Sequence, residues 1–330
     1  MPARRFQISD HCDGWRFFNP AGQRQARSFS DLPKWWCQRL FLGQGTRWPE
    51  SVPAPITPRL PDVVPEGKIA VTFIGHATFL LQYSGLNILT DPIFSKRAGP
   101  FSWAGPKRVR PPALALAQLP HIDLVLVSHN HYDHLDLSSL RWLAGEHRPQ
   151  IITTLGNKAW LESRGVGKVV ELDWWQTHGV GTALEVVCTP AQHFAASWPW
   201  DRCKTLWGGF GLKTPAGRIY FAGDSGYSAS FREIGARLGP VDLALIPIGA
   251  YEPRWFMEPV HCNPAEAVQI HREVRARQSL AMHFGTFQLT DEGIDEPVRA
   301  LTAALPANGL AASDFAVPAF GETRLYFPSA

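Results

Sequence analysis

The sequence predicts an α/β (α+β) chain whose sheets are covered by helices. Three observations carry this. Short β-branched apolar runs, such as 69–75 and 241–246, alternate with stretches of helical spacing, such as 228–238 and 264–275. The alternation falls into two similar halves, with no repeat short enough for a solenoid. Hydrophobic content of 45% with only 18% charged residues marks a globular chain with a large core.

Residues 1–66 read as an N-terminal extension wrapping the domain formed by 67–330. Residues 10–20 (DHCDGWRFFNP) are aromatic and turn-rich. Residues 31–42 (DLPKWWCQRLFL) predict a short amphipathic helix, with Asp31 as N-cap and Pro33 in its first turn. Its stripe of Trp35, Trp36, Leu40 and Phe41 either packs on its own domain or meets a lipid or partner surface. Residues 47–66 are proline-rich and read as an extended arm.

From Lys68 the pattern becomes sheet, with strands at 69–75, 79–83 and 86–90 and a Ser84-Gly85 turn between the last two. Residues 95–120 form a long Pro/Gly-rich loop carrying Lys96, Arg97, Lys107, Arg108 and Arg110. It sits near an anionic substrate or head-group layer, or is simply solvated. Further strands are expected at 121–127, 151–154, 168–172, 183–188, 206–212, 218–222, 241–246 and 279–282. Helices are expected at 136–143, 156–163, 228–238 and 264–275.

The chemistry concentrates in Ser128-His-Asn-His-Tyr-Asp-His134, directly after the strand at 121–127. Three imidazoles and a carboxylate in the pattern H-x-H-x-D-H suit Zn²⁺ better than Mn²⁺ or Fe. The alternate residues His129 and His131 can point at one ion, and Asp133 and His134 at a second. The competing reading is a polar loop whose histidines merely hydrogen-bond. Three more groups end apolar strands in the same way: His193, Asp224 and His283. Asp91 also ends a strand, where a carboxylate can brace a ligand histidine or cap a turn. His76 has similar placement, but a single histidine there is more often packing. Tyr251, Trp255 and Phe256 precede His261 and either shape a substrate entrance or pack.

Composition narrows the class. A net charge of +3 without a Lys/Arg run predicts no nucleic-acid partner. Five scattered cysteines without C-x-x-C spacing support neither a disulfide framework nor a cysteine metal site. No leader-like or bilayer-length apolar run is visible, so the expectation is a cytoplasmic protein whose membrane association is at most peripheral.

With these residues in view, the chain resembles the metallo-β-lactamase fold. Gly75-His-Ala-Thr78, Thr90-Asp-Pro92, Ser128–His134, Gly223-Asp-Ser225, His261-x-Asn-Pro-x-Glu-Ala267 and His283-Phe-Gly-Thr286 are similar to the N-acylphosphatidylethanolamine-hydrolysing phospholipase D branch and its bacterial relatives. The similarity runs over roughly 66–300. It implies a four-layer αββα sandwich and two zinc ions. His129, His131 and His193 would hold the first; Asp133, His134 and His283 the second; Asp224 would bridge. It implies a phospholipid or other phosphodiester substrate, and the aromatic N-terminal segment would meet a membrane or a second copy in a homodimer. The candidate catalytic residues are Asp133 and His261. His261 would serve the leaving group, or else only brace the helix that follows. Other expectations from the same ligand set are hydrolysis of a sugar-phosphate lactone or a soluble phosphodiester, and a non-hydrolytic diiron module.

Overall fold

Every residue of β1 (Ile69–Gly75) is buried in the computed structural model, which describes residues 5–20, 25–27, 29–41 and 45–326. Burial on both faces explains why the strand reads as a continuous apolar run rather than an alternation. Ile69, Val71 and Phe73 face one apolar cluster and Ile74 another, as a strand's period of two requires. Fully burying each such side chain contributes about 1.5–3 kcal/mol.

The first sheet contains β1, β2 (Thr78–Tyr83), β3 (Leu86–Thr90), β4 (Leu124–Val127), β5 (Gln150–Thr154) and β6 (Val169–Leu172). The second contains β7 (Thr177–Val180), β8 (Leu184–Thr189), β9 (Gly209–Thr214), β10 (Gly217–Phe221), β11 (Val241–Pro247), β12 (Ala276–Met282) and β13 (Phe315–Ala316). A last strand, β14 (Thr323–Tyr326), returns to pair antiparallel with β1. The orders are β14-β1-β2-β3-β4-β5-β6 and β13-β12-β11-β10-β9-β8-β7.

The larger apolar cluster lies between the sheets, where Phe73, Phe79 and Leu126 join Phe210, Phe221 and Leu245. A smaller one seals α2 (Leu137–Glu146) and α3 (Lys158–Glu162) onto the outer face of the first sheet, through Leu140, Leu143 and Leu161 against Val125, Val127 and Ile151. Helices α4 (Ser230–Arg237), α6 (Pro264–Glu273) and α7 (Glu296–Ala307) flank the second sheet, with a short α5 (Arg254–Met257) before α6. The result is an αββα sandwich. Asp136 caps α2 by accepting from the Ser138 N–H. Asn263 and Glu266 form a reciprocal capping box on α6.

The strand expected at 206–212 starts three residues later. The Leu206 N–H bonds the Leu155 carbonyl and the Gly208 N–H bonds the Ser128 carbonyl, so this run first ties two loops together. The helix expected at 156–163 is shorter, because Asn157 turns back to Thr154 and Thr153.

The described parts of the extension lie along the sandwich. The Phe17 N–H bonds the Cys203 carbonyl, Val52 bonds Val109, and Ile56 bonds Phe320. In α1 (Leu32–Phe41), Trp35 is buried, donates Nε1–H to Asp291 at 2.7 Å and packs on Phe256 at 5.2 Å. The side chains of Trp36, Leu40 and Phe41 lie outside the described residues. Among the described residues, no helix is long and apolar enough to cross a membrane.

Candidate metal centre

Loops leaving the C-terminal ends of strands in both sheets converge at one edge of the sandwich, where α/β proteins build their sites. β4 leads to His129, His131, Asp133 and His134; β8 leads to His193; β10 to Asp224; β12 directly to His283. Backbone tension accompanies the convergence. His76, Asp91 and His283 hold positive φ of 58°, 32° and 60°, a region that non-glycine residues rarely occupy.

Two groups of donor atoms form. In the first, His129 Nε2 lies 2.9 Å from His131 Nδ1, which lies 3.2 Å from His193 Nε2. The other ring nitrogens fix which atoms are bare. His193 Nδ1 donates to the Val260 carbonyl at 2.8 Å, leaving Nε2 without a proton in the neutral ring. His129 Nδ1 donates to Ser128 Oγ at 2.8 Å, and that hydroxyl donates to Asp91 Oδ2 at 2.6 Å. Burial pushes all three imidazoles down, His131 to about 3 and His193 to about 4, so they are neutral donors.

In the second group, Asp133 Oδ2 lies 3.2 Å from His283 Nε2 and 3.4 Å from His134 Nε2. His134 Nδ1 donates to the fully buried Asp91 at 2.6 Å. Asp91 also accepts from the Ser128 N–H at 2.7 Å, so one carboxylate braces both the loop and a histidine. Burial opposes charge on Asp133 and Asp224, but the imidazoles, His134 foremost, hold both well below the usual carboxylate range. Burial likewise opposes protonating His134 and His283, yet Asp224 and Asp133 push both up, His283 to about 9. This group draws positive charge.

Asp224 Oδ2 faces both groups. It lies 3.1 Å from His134 Nε2 and His283 Nε2, and 4.0 and 3.9 Å from His129 Nε2 and His193 Nε2. Its other oxygen is buried without a hydrogen-bond partner. Bare nitrogens this close repel unless a cation lies among them. Ligands of a tetrahedral ion with bonds of roughly 2.1 Å stand about 3.4 Å apart, close to the spacings here. The buried His/Asp clusters therefore fit two metal ions.

His261 lies beside this centre, its Nδ1 3.9 Å from Asp224 Oδ2 and without a hydrogen-bond partner. Burial pushes it well below its ordinary value, so it is neutral. Arg254 holds its carbonyl at 2.9 Å and pairs with Glu266. The cap of α6 is Asn263, not His261. Tyr251 is buried, Trp255 donates to Gln38 and Phe256 packs on Trp35, so the last two join the loop to α1. Three further neighbours complete the surroundings, of which the sequence reads His76 as packing and gives neither Ser128 nor Asn19 a role. His76, at the end of β1, places Nε2 3.0 Å from Asp133 Oδ2. Ser128 relays Asp91 to His129. Asn19, from the extension, donates to the His193 carbonyl at 3.1 Å. Strand-end placement pointed to His76, whereas nothing in the sequence ties Asn19 to position 193.

A cleft of about 420 Å³ flanks the metal loop, lined by Tyr132, Leu135, Phe101, Trp198, Lys96 and Arg97 among others. A second, of about 380 Å³, reaches His193 between Phe18 of the extension and Phe194.

With this geometry in place, comparison with known proteins is specific. The family described as Beta-lactamase superfamily domain matches residues 86–284. The chain belongs to the metallo-β-lactamase superfamily, and its His/Asp centre is that of a metal-dependent hydrolase. Within the superfamily it is related to N-acyl-phosphatidylethanolamine-hydrolyzing phospholipase D 1 of Caenorhabditis elegans. The two are 43% identical over 244 residues, 70% of this chain and 68% of that protein. The mitochondrial phospholipase of that name from Saccharomyces cerevisiae is 40% identical over 232 residues, 68% of this chain but 49% of its own length. An uncharacterized protein of Mycobacterium bovis is 44% identical over 242 residues, 72% of this chain and 64% of its own length. Among solved structures, an isothiocyanate hydrolase from Delia radicum gut bacteria has a TM-score of 0.63 at 19% identity, covering 78% of this chain and all of that one. Igni18, a metallo hydrolase of Ignicoccus hospitalis, has a TM-score of 0.60 at 20% identity, covering 79% of this chain and all of that one. At such identities the likeness speaks for the fold alone.

Proposed function

We propose that the protein is a dinuclear zinc phosphodiesterase that cleaves N-acylphosphatidylethanolamine at the bond to the N-acylethanolamine oxygen, releasing N-acylethanolamine and phosphatidic acid. The observation that carries this reading is the single Asp224 oxygen facing two separate donor groups. The substrate class is supported by the relatives' named activity and by an apolar, cation-rimmed cleft beside the metal loop.

His129, His131 and His193 would hold one zinc ion, Asp133, His134 and His283 the other, and Asp224 would lie between them. When bound, such a pair supplies a water of lowered pKa as nucleophile and offsets charge on the phosphoryl oxygens. The chain's own residues do the rest. Asp91, Ser128 and the Val260 carbonyl hold the imidazoles in the tautomers that aim bare nitrogens inward. Burial excludes bulk water and strengthens each electrostatic contact. His261, held neutral, offers an N–H to the leaving oxygen as the phosphorus–oxygen bond breaks, a role neutral imidazole can fill in an enzyme site.

The test is a product screen by lipid mass spectrometry, with Asp224→Asn as the dead control. Release of N-acylethanolamine and phosphatidic acid in equal amounts is expected. Turnover of a lactone or of bis-p-nitrophenyl phosphate without any phospholipid cleavage would point to another ester. Metal analysis that finds iron, with no hydrolysis at all, would end the reading.

A further inference from the structure

Four large aromatic side chains stand in water beside the metal loop. Phe101, Trp103, Trp198 and Trp200 are 49%, 74%, 37% and 64% exposed. They form one cluster: Phe101 stacks on Trp103 at 5.2 Å, meets Trp198 edge-on at 6.3 Å, and Trp198 stacks on Trp200 at 5.0 Å. A contiguous exposed patch of this kind marks an interaction surface.

The aromatics are displayed by rigid turns. In the first, the Ala98 N–H bonds the Pro106 carbonyl and Arg97 Nη1 bonds the Gly105 carbonyl. The two strands of that turn approach so closely that a Cβ on Gly99 would lie 2.1 Å from the Ala104 carbonyl oxygen. In the second, Asp201 Oδ1 accepts from both the Ser197 and Trp198 N–H groups at 2.9 Å. Ser197 Oγ then donates to the Asn130 carbonyl at 2.8 Å, tying this turn to the residue between His129 and His131.

Charge selects the partner. Lys96 and Lys107 are exposed at the base of the first turn, and neither forms an ion pair among the described residues. Exposed Arg164 lies over the Trp160 ring across the cleft, at 4.1 Å. Tryptophan-rich patches ringed by cations match the interface of an anionic bilayer, where indole sits at head-group depth and Lys/Arg meet phosphate. Trp35, from the stripe read either as packing on its own domain or as facing lipid or a partner, packs on its own domain.

We infer that the Phe101/Trp103 and Trp198/Trp200 turns form the surface that seats the protein on anionic phospholipid membrane, with the metal loop's cleft opening against the head groups. This rests on the phospholipid reading for its purpose but not for its test.

The test is co-sedimentation of the full chain with vesicles of phosphatidylcholine alone and of phosphatidylcholine with phosphatidylglycerol. A Trp103→Ser/Trp200→Ser variant and a Lys96→Glu/Lys107→Glu variant are run beside wild type, with metal content and unfolding midpoint matched to it as proof of folding. Wild type is expected to bind the anionic vesicles, less so at high salt, with a blue shift of tryptophan emission. The tryptophan variant should bind at least tenfold more weakly with the shift reduced, and the lysine variant should lose its preference for anionic lipid. Wild-type binding by the tryptophan variant would overturn the inference. So would a dimer-to-monomer change in that variant without lipid, which would mean that a second copy covers the patch. Vesicle binding through these turns without phosphatidic acid release would sink the proposed activity and leave the inference standing. Cleavage of detergent-dispersed substrate, with vesicle binding indifferent to both variants, would do the reverse.

Discussion

The two donor groups of the metal centre share the loop after β4, are completed by His193 and His283 from other strands, and behave differently. The group of His129, His131 and His193 is neutral, each ring lowered by burial, with tautomers of His129 and His193 set by Ser128 and Val260. The group of Asp133, His134 and His283 carries a carboxylate of its own and is braced from below by Asp91. The first offers lone pairs with little charge, while the second attracts positive charge even before an ion arrives. Successive parts of one loop, completed by His193 and His283, thus supply two electrostatically distinct seats, and Asp224 makes them one centre.

The comparison can be broken most decisively by removing one ligand from each side. His193→Ala and His283→Ala should each reduce bound metal from two ions to one and abolish hydrolysis of the proposed phosphodiester substrate. Mild chelation of wild type should strip the less charged first seat and leave the second filled. Metal analysis after graded chelator dialysis reads this, and equal loss from both seats would erase the distinction. Next in size is His261→Ala. It should keep both metals and lower kcat by about 10²–10³-fold, in the range of a lost hydrogen-bond donor to a developing oxyanion. Loss of metal would make His261 a ligand instead.

Asp91→Ala should be smaller for the first seat than for the second. Losing a brace of this kind typically costs about 10–100-fold in metal affinity. It also strands the buried Ser128 N–H, a destabilisation of about 1–3 kcal/mol, visible in thermal unfolding. Equal weakening of both seats would show that Asp91 acts mainly through the loop rather than through His134. His76→Gln should be the mildest, a few-fold change confined to the second seat, since His76 touches Asp133 and not the first group.

The same contrast shows what a sequence can display. His129, His131, Asp133 and His134 were legible because one short loop carries all four within six positions. His193, Asp224 and His283 were legible only through their placement after apolar strands, a local signal that the fold turns into proximity. The layered architecture was legible too, since fully buried strands such as β1 and β4 read as near-continuous apolar runs. Contacts made across long sequence distances were not. Asn19 reaches the His193 backbone from 174 positions away. The pairing of β14 with β1 joins the two ends of the domain, and α7 went unread. The strand expected at 206–212 begins only at Gly209 because Leu206 and Gly208 spend their N–H groups on loops.

The most direct measurement is a metal titration of chelator-stripped protein, following bis-p-nitrophenyl phosphate hydrolysis and bound zinc together. The account predicts no turnover without metal and recovery that reaches its plateau at two zinc ions per chain. Full activity in stripped protein, or a plateau at a single ion, would contradict it.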